Sequence, residues 1–408
     1  MSDQVLPRAG SAYVDLPSSR DAGTAAARAA LDSAGLQTAD LAFCFHHGRH
    51  DPAEVVAGVR EALGPTTRIV GGTAMGVITN ADVSYEGHQV GVAVLGGLDP
   101  ASVVFASASG LAARSEYDVG RDLASDLSAA SDLAALDVLL LYSSIARGLT
   151  HPDGLALNFG TPLLAGLLEV AGAPRSVSGA GLVDSGQPTW SHVYVDDVAD
   201  RDAAVAVGFQ GSLRMDTVVL HGCRPAGSYR TITKTAGPVV LEIDGRPALE
   251  VVDELLGGAL PRAEYPFNVI LGVNRGDRFA DFDEEQYQTR LCLAVDESSG
   301  GLVMFEPDLE AGSLVQLMRV STDFAYVEDR VASVLAQVGD RTPLLALYLD
   351  CAGRCVMGSA MPEEEGHAVR RALGDIPLLG AYTGIEIAPV VGTPRPLDWT
   401  GVLCLISR

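Results

Sequence analysis

One pattern occurs three times along this chain: an apolar strand running into a loop, then a helix, a second strand and a closing strand. A repeat of that kind restricts the fold more than any single motif does. In the first copy the strand 41–45 leads into His46-His47-Gly48, and a helix follows over 52–63 with Val55, Val56, Val59 and Leu63 on one face. The second strand starts at Arg68 and enters the small-residue turn 71–76, and the closing strand covers 89–95. The second copy has strands at 137–142, 176–183 and 203–209, a helix at 162–170 and a loop at 143–150. The third has a strand at 344–349, the loop Asp350-Cys351-Ala352-Gly353-Arg354-Cys355, a helix at 363–373, and strands at 378–382 and 400–406. This alternation predicts an α/β (α+β) fold of mixed β-sheets covered by helices.

A stretch of different character separates copies two and three. It reads as strands at 216–220, 231–235, 239–243, 288–295 and 302–306, with Asp244-Gly245 as a turn signal and helices at 248–256 and 325–338. Because 408 residues exceed one ordinary core, two domains are expected, 1–220 and 221–408.

Composition narrows the partners. With 48% hydrophobic and 20% charged residues the chain is globular, and 52 acidic against 28 basic residues give a net charge of −24. That charge repels phosphate backbones and anionic lipid surfaces, so neither nucleic acid nor membrane is expected as a partner. The N-terminus lacks a basic start followed by an apolar core, and no apolar run approaches the ~18 residues of a membrane helix. A cytoplasmic location follows, in which the six cysteines stay thiols. Cys351 and Cys355 stand four apart with no second pair, which is not a zinc pattern.

The common catalytic signatures are missing. Lys234, the only lysine, follows no glycine run, and Gly179-Ala180-Gly181 is followed by Asp184 where a dinucleotide fingerprint needs glycine. Neither H-E-x-x-H nor G-x-S-x-G occurs. What remains are loops at strand ends, where α/β sheets bind ligands. A binding protein is therefore expected rather than an enzyme, with an enzyme acting on a small metabolite as an alternative.

The stretch Pro377-Leu-Leu-Gly-Ala-Tyr-Thr-Gly-Ile-Glu-Ile-Ala-Pro389 resembles the closing pattern of the FIST family, whose members are sensory modules built of an N-terminal and a C-terminal FIST domain. Cys351-Ala352-Gly353-Arg354, His221-Gly-Cys-Arg-Pro225, Leu241-Glu-Ile-Asp-Gly-Arg-Pro-Ala-Leu249 and Gly71-Gly-Thr-Ala-Met-Gly76 resemble further elements in the same order, so the resemblance spans residues 40–406. Ile385 departs from the pattern, which often has glycine before the glutamate. The resemblance implies signal transduction by recognition of a small ligand, an amino acid or related metabolite, with a separate signalling protein as output partner. It also implies a haem-binding nitric-oxide sensor as an alternative, although no cofactor is expected from the motifs.

The candidate ligand-binding residues are Arg290, Cys351, Arg354, Gly380, Tyr382, Thr383 and Glu386. Glu386 stands between Ile385 and Ile387 and needs a partner if buried: Arg290, Arg354 or a ligand ammonium. Arg354 suits either a carboxylate clamp or a loop-tying ion pair. Tyr382 suits core packing with a satisfied hydroxyl, and Cys351 with Cys355 either buried thiols or a redox pair. For haem the candidates are His46, His47 and His221, which otherwise read as surface loop histidines. Arg354 and Glu386 are expected to converge on one cavity.

Overall fold

The computed structural model describes residues 6–147, 156–170, 172–184, 191–321, 323–355 and 363–408; the end of the loop expected over 143–150 lies outside them. Each of the three copies forms a unit in which the first and second strands run parallel and the closing strand pairs antiparallel with the first. In unit one these are Leu41–His47, Arg68–Ala74 and Gln89–Gly96. In unit two they are Asp137–Ser143, Ser176–Leu182 and Ala203–Phe209. In unit three they are Pro343–Cys351, Leu378–Thr383 and Gly401–Ser407.

Every unit also carries a leading strand that pairs antiparallel with its closing strand. These are Arg8–Asp15, Val103–Ser109 and Arg214–Leu220. The first two, with the helices Ser19–Ala34 and Glu116–Ala130 that follow them, are additions to what the sequence pattern showed.

The alternation of side chains along each strand divides the core. Leu41, Phe43 and Phe45 point inward with Leu139, Leu141, Leu345, Leu347 and Leu349, and all three sheets share this one apolar centre. The residues between them face outward under helices: Ala42 and Cys44 in unit one, Val138, Leu140 and Tyr142 in unit two, Ala346 and Tyr348 in unit three. The repeat extends to close backbone contacts. Gly71 lies opposite Cys44, Gly179 opposite Leu140 and Gly380 opposite Tyr348. A Cβ at these glycines would fall 1.9, 1.8 and 2.4 Å from the carbonyl oxygen of the residue opposite. Backbone approach alone accounts for Gly380, which belongs to the ligand-binding set expected from the sequence.

The three sheets exchange hairpins in a ring. The short strands Val77–Thr79 and Val83–Ser84 of unit one extend the sheet of unit three, where Ile78 pairs with Gly380. Unit three's hairpin, Ile385–Val390 with Thr393–Leu397, extends unit two, and unit two's hairpin, Val193–Val195 with Val198–Asp200, extends unit one.

Between the leading strand of unit three and its helix Ala325–Val338 the chain builds a second body. Strands Leu314–Val320, Arg230–Ala236, Val239–Ile243, Gly301–Met304, Tyr287–Asp296 and Ile270–Asn274 pair in that order, and Ile270–Asn274 pairs again with Leu314–Val320, closing a barrel. The helix Ala248–Leu256 packs Ala248, Leu249, Val251 and Val252 into the barrel core. Asp244 and Gly245 both have positive φ, 52° and 76°, as the turn at this dipeptide requires. The fold is thus α+β, with mixed sheets and seven helices among the described residues.

Candidate ligand-binding site

The parallel strands of units two and three end at Ser143, Leu182, Cys351 and Thr383, and the residues just beyond them meet the inserted barrel. A cavity of about 260 Å³ opens there. Unit one contributes Met75, unit two Ser144, Ile145 and Val183, unit three Cys351 and Thr383, and the barrel Phe267, Leu291 and Phe305. Its wall is mainly apolar, with the carboxyl groups of Asp184 and Asp398 as the ionisable exceptions apart from the Cys351 thiol. A groove of about 450 Å³ elsewhere, lined by Asp277, Asp283 and Glu285 among others, is larger but receives no strand ends from the parallel pairs.

Of the seven candidate ligand-binding residues, Cys351 and Thr383 line the cavity, and so does Ile385, the position that departs from the family pattern. Glu386 lies directly behind Thr383, whose hydroxyl donates to Glu386 Oε1 at 2.7 Å. Glu386 is fully buried in the exchanged hairpin, opposite Ala180 and Leu397, and its Oε2 has no hydrogen-bond partner. Burial pushes its carboxyl well above the usual range, against the lowering effect of the Thr383 hydrogen bond.

Arg290 and Arg354 are both spent on protein partners. Arg290 is fully buried and grips Asp308 through Nε and Nη2, both at 2.6 Å, while Nη2 also donates to the Pro396 carbonyl at 2.7 Å and Nη1 to that of Thr289 at 3.1 Å. Arg354 turns away from the cavity toward the helices of unit three. It donates to Glu365, to the carbonyls of Leu220 and Trp399, and to Tyr326, with Asp350 at 3.3 Å. No ion pair joins Arg354 to Glu386, so the convergence expected of these two is replaced by a buried tie between loop, helix and strand. Tyr382 also faces the helix side, donating to Glu364 at 2.5 Å, with its ring edge against Tyr85.

All six cysteines are buried and free. Burial, with Glu386 nearby, pushes the Cys351 thiol well above its ordinary value, which leaves no thiolate at the cavity wall near neutral pH.

The histidines do not fit haem. His221 Nδ1 accepts the Cys223 N–H at 2.9 Å and Nε2 donates to the Glu284 carbonyl at 3.1 Å, so both ring nitrogens are committed. His221 borders a cavity of only about 10 Å³. His46 donates from Nδ1 to the His47 carbonyl at 3.0 Å and stacks on Tyr194 at 5.6 Å, with Nε2 enclosed and unpartnered. His47 is buried and accepts the Arg49 N–H at 3.2 Å. All three are buried rather than on the surface, His46 and His47 at the end of a strand enclosed on both faces, and none of them lines the 260 Å³ cavity.

The sequence reading missed Asp398, Asp184, Phe267 and Phe305. Asp184 directly follows the strand expected over 176–183, a strand-end position like those of the other candidate loops, so the repeat itself could have flagged it. Asp398 and the two phenylalanines belong to no motif; only the docking of the barrel brings them to the cavity.

Mixed sheets around one shared centre, joined to an inserted barrel, define an α+β architecture. Residues 40–246 match the FIST N domain and residues 248–389 the FIST C domain, so the chain belongs to the FIST family, whose domains are sensory. The chain is 25% identical over 408 residues to Uncharacterized protein Mb0898c of Mycobacterium bovis, covering 98% of each. It is also 26% identical over 212 residues to Uncharacterized protein MJ1623 of Methanocaldococcus jannaschii, covering 48% of this chain and 40% of that one. Among solved structures, a cyanuric acid hydrolase from A. caulinodans aligns with a TM-score of 0.40 and 9% identity over 98% of this chain and 99% of that one. No helix among the described residues is long and apolar enough to cross a membrane.

Proposed function

We propose that this chain is a sensor that retains a small, largely apolar metabolite in the strand-end cavity and passes its occupancy to a separate signalling protein. The observation that carries this reading is the origin of the wall: Met75, Ser144, Val183, Cys351 and Thr383 come from three repeat units and Phe267, Leu291 and Phe305 from the barrel. A ligand filling that space touches all four parts at once, so it favours whichever arrangement of barrel and body closes on it. Amino acids and related compounds are the first class to try, and haem is not favoured because the histidines are engaged elsewhere.

A thermal-shift screen of amino acids, amines, carboxylic acids and haem tests the reading. A true ligand at one hundred times its dissociation constant adds about 2.7 kcal/mol of stability. No response to any class removes the support for a sensor, and turnover of a bound compound, rather than its retention, makes the protein an enzyme.

A further inference from the structure

Resting on that reading, we propose that the ligand is an organic amine, bound as its ammonium ion with the nitrogen on Asp398 Oδ1 and its hydrocarbon part packed against the cavity side of Phe267 and Phe305. Asp398 is 1% exposed and forms part of the cavity wall. Its Oδ2 accepts the Leu291 N–H at 3.0 Å, whereas its Oδ1 is buried with no hydrogen-bond partner. Leaving a carboxylate oxygen bare in an apolar setting is costly, and an N–H donor from a ligand removes that cost.

Arg290 does not fill this role. Its two parallel donors are committed to Asp308, and its approach to Asp398 is a 3.6 Å contact to Oδ2, on the side already occupied by Leu291. Among the described residues that line the cavity there is no arginine, lysine or histidine, whereas two, Asp184 and Asp398, are carboxylic acids. That wall receives a cation and offers nothing to a carboxylate, which separates a simple amine from a zwitterionic amino acid. Phe267 and Phe305 meet edge to face at 5.7 Å and line the same cavity as Asp398, so together they offer an apolar surface to the hydrocarbon part of the amine. Burial pushes the Asp398 carboxyl up to about 6, against the opposing pull of Arg290, so at pH 7.5 it is ionised and acts as an acceptor.

The probes are benzylammonium, benzyl alcohol and benzoate, of nearly one shape and three charge types, titrated calorimetrically into the full chain at pH 7.5. Methylammonium to phenethylammonium extend the amine series. The expected result is binding of an aralkyl amine at least tenfold tighter than the alcohol and the acid, with nitrogen density beside Asp398 Oδ1 in a crystal of the complex. In Asp398→Asn the preference for the amine should disappear; if that variant does not fold, the comparison of probes on the unaltered protein decides. Equal or tighter binding of benzyl alcohol or benzoate, or a nitrogen placed elsewhere, overturns the amine assignment and leaves the cavity reading standing. No binding by any amine overturns the assignment, and no binding by any compound of the wider screen overturns both.

Discussion

Ile78 and Gly380 are paired neighbours in one sheet although they belong to the first and third units of the chain. Their pairing is one link of a ring in which every unit lends a hairpin to another unit's sheet. A cut anywhere between units therefore leaves open sheet edges and exposes the apolar centre around Phe43, Leu141 and Leu347. Residues 1–213 and 214–408 produced separately should aggregate or lack cooperative melting, and should regain it when refolded together. Circular dichroism and size-exclusion chromatography of the two pieces check this; sharp independent transitions would argue against the ring as a stability unit.

Gly179 sits with φ at 158° and would place a Cβ 1.8 Å from the Leu140 carbonyl oxygen. A shift of one strand relative to its parallel neighbour is the only relief. Gly179→Ala should cost on the order of 3 kcal/mol, the upper end of the ordinary cost of overpacking, because backbone rather than a side chain must move. Urea denaturation of the variant measures it. A change within about 0.5 kcal/mol would show that the strands have slack here.

Arg354 pairs with Glu365 in a buried setting, with Asp350 at 3.3 Å, and its removal leaves the Glu365 carboxylate without its cation. Arg354→Ala should lose about 3–5 kcal/mol of stability. Ligand affinity of the folded fraction should stay near that of the unaltered chain, because the guanidinium lies on the helix side. Chemical denaturation and calorimetric titration read the two effects separately.

His46 is pushed down to about 3 by burial, against the raising effect of its bond to the His47 carbonyl. The unfolded chain, with a histidine near 6.5, takes up a proton that the folded chain refuses. Stability from this group is complete above pH 6.5 and declines as the pH falls from there toward 3, by about 2 kcal/mol between pH 7 and pH 5. His46→Phe keeps a ring against Tyr194 and should flatten the pH dependence by that amount. Melting curves at pH 5, 6 and 7 decide, and an unchanged slope would assign the acid sensitivity to other groups.

Much of the architecture was legible because local patterns and tertiary structure agree. The helix 52–63, the closing strand 203–209 and the helix 248–256 fall where periodicity puts them. The exchanged hairpins were not legible: Val77–Thr79 and Val193–Val195 are only three residues long, too short to show a period, and their partners lie far along the chain. At the site, motif position identified Cys351 and Thr383, but it could not say which way a side chain turns. Arg354 follows Cys351 by three residues, at the end of the short turn Ala352–Arg354, and is directed to the helix side, where Glu365 and Tyr326 receive it. Asp398 stood in no recognisable pattern, and its bare oxygen exists only once the barrel strand Tyr287–Asp296 docks against it.

Val183 is partly exposed in the cavity wall, so Val183→Trp fills the space without opening the core. The melting temperature of this variant and of the unaltered chain, measured side by side with the compounds that respond in the screen, is the most direct test of the cavity as the sensing site. The unaltered chain should gain about 2.7 kcal/mol at one hundred times the dissociation constant and the variant nothing. An equal gain in both proteins would place the ligand elsewhere and contradict the account.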